Sequence, residues 1–373
     1  MKAIIAAGGT GGHINPAIAI ADEIMKNEPD SEIIFVGRED GMEKNAAEKA
    51  GYRFHHIEIH GFYRGKSLND FIQNIRAVYC SASGLRKARK LIREFDPDLV
   101  LGCGGYVSGP VVLAAELMGR NTAIQEQNSF PGVTTRLLAR KVDRIFAPSK
   151  EAAERLARPD KTVITGNPIR DGFDSADREA ARERLGVGDR ICVISFGGSL
   201  GASAINKIAS SLAAKHHATG KIFQIHATGR YGTELFPKLL KEKGVDPEDP
   251  NIEIREYIDN MQDCLAAADL VISRAGAISI SEITASGTAS VLIPSPNVAE
   301  NHQYYNAKAV ADADAALLIE EKDMDPDASA DEILALAKDA DRLRRMGENA
   351  RKISHPEATR EIYRQIRKLI ESR

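Results

Sequence analysis

Lys2-Ala-Ile-Ile-Ala-Ala-Gly8-Gly9-Thr10-Gly11-Gly12-His13-Ile14-Asn15-Pro16 is the stretch on which the reading of the fold depends. An apolar run long enough for one buried strand ends in five small residues, and an apolar-periodic segment with an early proline follows. The order is strand, glycine turn, helix, with Asn15 expected as the cap, Pro16 at the first helical position and an end near Lys26. Glycines let backbone approach a ligand closely, and amides at a helix start favour an anion. His13, at the mouth of the turn, can donate to a phosphate or take a proton from a substrate hydroxyl.

At 373 residues the chain is too long for one ordinary core and suits two domains. Hydrophobic content of 43% and charged content of 28% are those of a soluble globular protein, which sets disorder aside. No apolar run approaches the ~20 residues of a membrane span, and the N-terminus reads as a strand rather than a signal peptide, so a cytoplasmic location is expected. Cys80, Cys103, Cys192 and Cys264 are widely spaced, which argues against a disulfide framework or a zinc site. Residues 1–163 are net basic and 164–373 net acidic, so an anionic partner should prefer the N-terminal half.

Further buried strands are expected at Glu32–Val36, Phe54–Ile59, Leu99–Leu101, Thr122–Ile124, Arg144–Ala147 and Thr162–Thr165, with helices between most of them. Alternation of this kind implies a parallel sheet covered on both faces, with ligands at the carboxyl ends of its strands. Gly166-Asn167-Pro168-Ile169-Arg170 reads as an interdomain joint. The pattern then restarts with a strand at Ile191–Phe196, the turn Gly197-Gly198-Ser199-Leu200-Gly201-Ala202 and a helix to about Leu212. Strands at Ile222–Ile225, Ile252–Ile254, Leu270–Ile272, Val291–Ile293 and Ala315–Ile319 complete a second series. The fold class is therefore α/β, with two Rossmann-like doubly wound domains expected to face each other across a cleft. The expected division is 1–165, 166–350, and a C-terminal helix in 351–373 whose stripe of Ile362, Ile366, Leu369 and Ile370 packs back on the first domain.

Neither turn has the Gly-x-Gly-x-x-Gly of a dinucleotide fold, and no Gly-Lys-Ser/Thr phosphate loop is present. The pair of turns resembles those of the MurG glycosyltransferases, a family with the two-lobed GT-B fold, and the resemblance covers nearly the whole chain. It rests on Gly8–His13 with Pro16, Gly102-Cys-Gly-Gly-Tyr106-Val-Ser-Gly-Pro110, Glu126-Gln127-Asn128, Gly166–Arg170, Gly197–Ala202, Tyr257-Ile258-Asp259-Asn-Met261, Arg274-Ala-Gly276-Ala-Ile-Ser279-Ile-Ser-Glu282, and Asn301-His-Gln303-Tyr-Tyr-Asn306. One departure is Gln125, where the family commonly has histidine.

The resemblance implies inverting transfer of N-acetylglucosamine from UDP-N-acetylglucosamine to the C4 hydroxyl of undecaprenyl-pyrophosphoryl-MurNAc-pentapeptide, in peptidoglycan synthesis. On the donor side it implies Ser199 at the diphosphate, Arg170 adding positive charge, the backbone of Ile258 on the uracil, and Glu282 on the ribose. Ala277, Ile278, Ser279, Gln303 and Asn128 would be near the sugar, and Thr10, Gly11 and Gly12 would also touch the donor. On the acceptor side it implies Gly9, Gly11 and Gly12 on the lipid pyrophosphate, Tyr106 lining the pocket, and His13 as first and Glu126 as second candidate base. No metal, cofactor or nucleic acid is implied.

Each residue also has a plainer reading. Ser279-Ile-Ser-Glu282 is a capping-box pattern, Ser199 could be an N-cap, and Arg170 a surface ion pair. His13 could only bind a pyrophosphate, and Glu126 could orient Asn128 or cap a helix. A UDP-N-acetylglucosamine 2-epimerase, or a non-catalytic nucleotide-sugar-binding partner, are the alternatives in function.

Residues 62–93 carry Arg64, Lys66, Arg76, Arg86, Lys87, Arg89, Lys90 and Arg93 against the single acid Asp70. Phe71, Ile72, Ile75, Val78 and Tyr79 fall on one helical face beside them, a pattern suited to an anionic inner-leaflet surface or to ordinary core packing with a solvated rim. A peripheral position on the cytoplasmic face of the membrane, with other cell-wall synthesis proteins as possible partners, is the resulting expectation.

Overall fold

The structure is a computed structural model, and it describes residues 1–57, 83–156, 158–298 and 301–372. It divides into two compact units, one of Met1–Arg170 with Glu357–Arg373, the other of Asp171–Pro356.

In the first unit, β1 (Lys2–Ala6), β2 (Glu32–Gly37), β3 (Arg53–His56), β4 (Leu99–Gly102), β5 (Thr122–Gln125), β6 (Arg144–Ala147) and β7 (Thr162–Ile164) make one sheet. Its order is β3-β2-β1-β4-β5-β6-β7 and every pairing is parallel. Alternate residues of β1 feed opposite faces, Ile4 and Ala6 one core and Ala3 and Ile5 the other. A strand buried on both faces has no polar positions to alternate with, which is why it reads as a continuous apolar run.

The helix Gly11–Asn27 covers one face with Ile20 and Ile24, and the C-terminal helix Ala358–Glu371 adds Ile362, Ile366 and Leu369 to the same core. Each of these large side chains contributes roughly 1.5–3 kcal/mol when buried. Thr359 Oγ1 donates to the Ile169 carbonyl at 2.8 Å, and Glu28 accepts from Tyr363 Oη at 3.0 Å and pairs with Arg367 at 3.1 Å.

The second unit repeats the plan. Strands β8 (Ile191–Phe196), β9 (Ile222–Ala227), β10 (Ile252–Arg255), β11 (Leu270–Ser273), β12 (Ala289–Leu292) and β13 (Ala316–Leu318) form an all-parallel sheet of order β10-β9-β8-β11-β12-β13. Both sheets reverse direction of build beside their first strand, between β1 and β4 and between β8 and β11. That reversal opens a crevice at the carboxyl ends, and a glycine turn lies at each.

Three local expectations are corrected. The first helix begins at Gly11, with Thr10 as its extended N-cap residue, and Pro16 lies inside it. The two glycines are therefore helix rather than approach to it; the missing Pro16 amide removes only one bond near the helix start. Strand β3 is Arg53–His56, starting one residue before the expected Phe54, and the Ile57 amide still donates to the Gly37 carbonyl at 2.9 Å; Glu58 and Ile59 lie outside the described residues. Ser279 caps nothing, because the helix Ala277–Ser286 has already started and Glu282 sits in its second turn. Among the described residues no helix is long and apolar enough to cross a membrane.

Candidate active site

In the first unit the chain leaves β1 through Ala7 and Gly8 and turns at Gly9, whose φ of +94° suits glycine. Thr10 precedes the helix with no side-chain cap bond, and its carbonyl accepts from the amides of His13 and Ile14 at 3.0 and 3.2 Å. Gly11 and Gly12 then supply the first two helical N–H groups, which have no acceptor one turn back, at the positive end of the helix dipole. The Gly9 amide faces Glu43 Oε2 at 3.5 Å, and Glu43, only 2% exposed, also accepts from the Arg38 amide at 2.8 Å. Of the expected anion-binding amides, Gly11 and Gly12 remain clear of that carboxylate.

The loop after β4 closes on this turn. A Cβ on Gly105 would collide with the Gly8 backbone and one on Gly104 with the His13 imidazole, and both residues have positive φ. Ser108 Oγ shares itself between the carbonyls of Ala6 and Gly104 at 2.9 and 2.7 Å. Tyr106, in the same loop, is 57% exposed.

The loop after β5 carries Glu126, whose carboxylate is buried and occupied by its own loop. Oε1 accepts from the amides of Gln127 and Asn128, both at 3.0 Å, and from Asn128 Nδ2 at 3.3 Å; Oε2 accepts from the Gly132 amide at 3.1 Å. This arrangement orders Asn128 and the start of the helix Val133–Leu138. Against the expectation of Glu126 as a second base, the geometry favours an organising part, since lone pairs so engaged are poorly placed to take a substrate proton. His13 is half-buried, and its Nδ1 lies 2.9 Å from Gln127 Oε1. Gln127 had no signal of its own beyond lying between Glu126 and Asn128.

In the second unit the turn after β8 uses positive φ at Gly198 and Gly201 and leads into the helix Ser203–His216. Ser199 is exposed and lies four residues before that helix, so it is not its N-cap; its carbonyl accepts from the Arg230 amide at 3.1 Å. A Cβ on Gly201 would strike the Thr228 carbonyl, so this glycine lets the turn after β8 lie on the loop after β9. Beneath it, Ser195 Oγ meets His226 Nδ1 at 2.8 Å, His226 Nε2 meets Asn206 Oδ1 at 3.2 Å, and Asn206 Nδ2 donates to the Thr228 carbonyl at 3.4 Å. Complete burial pushes the His226 pKa down to about 3, so this imidazole is neutral at physiological pH. Sequence reading missed it because nothing in its local pattern separates it from a core residue.

Ala277, Ile278 and Ser279 form the first turn of the helix after β11, with Glu282 one turn further on. In the preceding loop Arg274 pairs with Glu321 at 2.6 Å and donates to the carbonyls of Ile293 and Pro294 at 3.1 and 3.2 Å. Gln303 Oε1 accepts from the Ser295 amide at 2.9 Å, and Ile258, after β10, is buried. Arg170 is the exposed last residue of the first unit's main segment. The expected membrane residues Arg64, Lys66, Phe71, Ile72, Ile75, Arg76 and Tyr79 lie outside the described residues. Among the described residues no group of three His, Cys, Asp or Glu side chains could hold a metal ion.

Residues 3–147 match the glycosyltransferase family 28 N-terminal domain and residues 191–362 the glycosyltransferase family 28 C-terminal domain. The chain is 42% identical over 374 residues to the UDP-N-acetylglucosamine--N-acetylmuramyl-(pentapeptide) pyrophosphoryl-undecaprenol N-acetylglucosamine transferase of Acetivibrio thermocellus, covering 100% of this chain and 99% of that protein. The Clostridioides difficile protein of the same name is 39% identical, covering 100% of this chain and 90% of that one. The crystal structure of Acinetobacter baumannii MurG superposes with a TM-score of 0.73 at 26% identity, covering 98% of this chain and 99% of the other. A putative UDP-N-acetylglucosamine 2-epimerase from Listeria monocytogenes has a TM-score of 0.70 at 16% identity, over 100% of this chain and 97% of that one, and shares the fold alone. With relatives of this identity along its whole length, the chain belongs to the MurG glycosyltransferases and has their GT-B fold of two doubly wound parallel sheets.

Proposed function

We propose that the protein transfers N-acetylglucosamine from UDP-N-acetylglucosamine to the C4 hydroxyl of undecaprenyl-pyrophosphoryl-MurNAc-pentapeptide, the lipid I to lipid II step of peptidoglycan synthesis. The observation that carries this reading is full-length identity of about 40% to transferases of that name, with both glycine turns at the switch points of their sheets. The fold shared with 2-epimerases at 16% identity does not compete with that.

The chemistry is a single in-line displacement. As the acceptor oxygen attacks the anomeric carbon from the face opposite UDP, its proton passes to His13 Nε2. The carbon–oxygen bond to the β-phosphate breaks, its electron pair stays with UDP, and the anomeric centre inverts. In the second unit Ser199 and the amides at the turn and helix start take the diphosphate, where charge grows as the bond breaks. Ile258 reads the uracil through its backbone, Glu282 accepts the ribose hydroxyls, and Ala277, Ile278, Ser279 and Gln303 orient the sugar; Arg170 and Asn128 are further donor-binding residues. Gly11, Gly12 and Tyr106 hold the acceptor. Release of UDP measured with and without the lipid acceptor tests the reading: acceptor-dependent release is expected, and loss of UDP-N-acetylglucosamine to an epimer without acceptor would replace it.

Access to the lipid substrate is assigned to residues 62–93, which dock reversibly on the anionic cytoplasmic face of the membrane at roughly 1 kcal/mol per basic residue. Sedimentation with anionic vesicles should be lost in a folded Phe71→Asp, Ile75→Asp double variant; unchanged binding would remove this face from membrane contact.

A further inference from the structure

Behind His13 lies a set of buried amides for which the proton transfer itself has no use. Gln127 is 4% exposed and has its Oε1 on His13 Nδ1 at 2.9 Å. Its Nε2 reaches the Cys103 carbonyl at 2.9 Å, the Gln125 carbonyl at 3.3 Å and Gln125 Oε1. Gln125 is 1% exposed and donates through Nε2 to the Glu126 carbonyl at 2.8 Å and to Asn167 Oδ1 at 3.2 Å. Asn167 Nδ2 donates back to the Gln127 carbonyl at 3.0 Å.

Backbone carbonyls set the direction of every bond in this set, because a carbonyl oxygen only accepts. The Cys103 carbonyl takes one hydrogen of Gln127 Nε2, which turns its Oε1 to His13, and the other hydrogen is shared between Gln125 Oε1 and the more distant Gln125 carbonyl. The Glu126 carbonyl orients Gln125 in the same way and leaves Gln125 Oε1 to accept from Gln127. Since Gln127 Oε1 also only accepts, His13 Nδ1 must carry a hydrogen. A neutral imidazole has one such hydrogen, so Nε2 is left with a free lone pair.

We propose that Gln127, itself held by Gln125, is a positioning residue that locks His13 in the Nδ1–H tautomer and so presents Nε2 to the acceptor hydroxyl. The proposal rests on the reading of His13 as base. When Nε2 takes the proton, the Nδ1–H bond to Gln127 is unchanged, so the imidazolium needs no rearrangement. Gly104 belongs to the same device, since any side chain there would displace the ring. The proposal also gives the departure at position 125 a role. An amide offers an acceptor and two donors together, as Gln127 Nε2, the Glu126 carbonyl and Asn167 Oδ1 require, whereas a neutral imidazole offers one of each.

The test is nitrogen-15 NMR of the full-length protein with labelled histidine, the His13 signals being assigned by their loss in His13→Asn. In the wild type His13 should be protonated at Nδ1 and bare at Nε2. In Gln127→Met the Nε2–H form should appear and kcat fall about 10- to 1,000-fold, while KM for UDP-N-acetylglucosamine stays within about twofold. A wild-type His13 protonated at Nε2, or a Gln127→Met protein with unaltered tautomer and kcat, overturns the proposal. The wild-type spectrum decides the matter even if Gln127→Met fails to fold. The two readings fail separately: an Nδ1–H tautomer with an active His13→Ala sinks the base alone, and an Nε2–H tautomer with an inactive His13→Ala sinks the clamp alone.

Discussion

The two glycine turns occupy equivalent places in two sheets of the same order, yet what lies behind them differs. Behind the first is the carboxylate of Glu43, facing the Gly9 amide; beneath the second is the neutral pair His226 and Asn206. A negative charge behind a helix start weakens its pull on an anion, whereas a neutral support leaves that pull intact. The proposed division, with the diphosphate at the second turn and at the first an imidazole that holds a proton during reaction, fits this difference. Topology makes two crevices; the side chains beneath them make the crevices unlike.

The largest expected effect lies at the first turn. His13→Ala should lower turnover by about 10²- to 10⁴-fold with UDP affinity by calorimetry unchanged; near wild-type turnover would leave the first turn with binding alone. Next comes the dependence of the first unit on the end of the chain. Ile366→Ala, in the core shared with Ile20 and Ile24, should cost about 2–5 kcal/mol in urea unfolding. The loss should fall on the transition that reports the first unit, and an equal shift of a probe in the second would show that the two do not unfold separately.

A smaller pair of effects separates the turns by ligand. Gly201→Ala and Gly105→Ala each force a Cβ into facing backbone at positive φ, at roughly 1–3 kcal/mol each. The first should raise KM for UDP-N-acetylglucosamine and the second KM for the lipid acceptor; the reverse assignment would exchange the roles given to the two turns.

The gentlest effect is one of pH. The folded pKa of His226 is about 3 against an ordinary value of 6.5, so below about 6.5 the unfolded chain binds a proton that the folded one refuses. Stability tied to His226 is thus present above pH 6.5 and is lost as pH falls toward 3, by about 1.4 kcal/mol per pH unit. His226→Gln should flatten unfolding free energy between pH 6 and pH 4.5 by about that slope, and an unaltered slope would mean that another group carries the acid sensitivity.

Much of the fold could be read along the chain because a parallel strand buried on both faces is a local signal. The runs Ile4-Ile5, Ile34-Phe35, Val193-Ile194 and Val271-Ile272 each announce themselves. Element starts were harder to place. Asn15-Pro16 imitates a cap and first turn, but the helix begins five residues earlier because the glycines themselves take helical backbone. Ser279 and Glu282 have capping-box spacing, yet the loop after β11 ends sooner and the helix engulfs both.

By itself, then, the sequence determined two doubly wound sheets, a glycine turn after the first strand of each, and the histidine, serine and glutamate that the turns and helices carry. These follow from hydrophobic periodicity and turn chemistry, which act over a few residues. Only the tertiary structure decided that Glu126 ties down its own loop, that Glu43 stands behind Gly9, and that His13 meets Gln127, 114 positions away. Such pairings depend on which strand ends the sheet order brings together, and on backbone carbonyls whose direction no local pattern records.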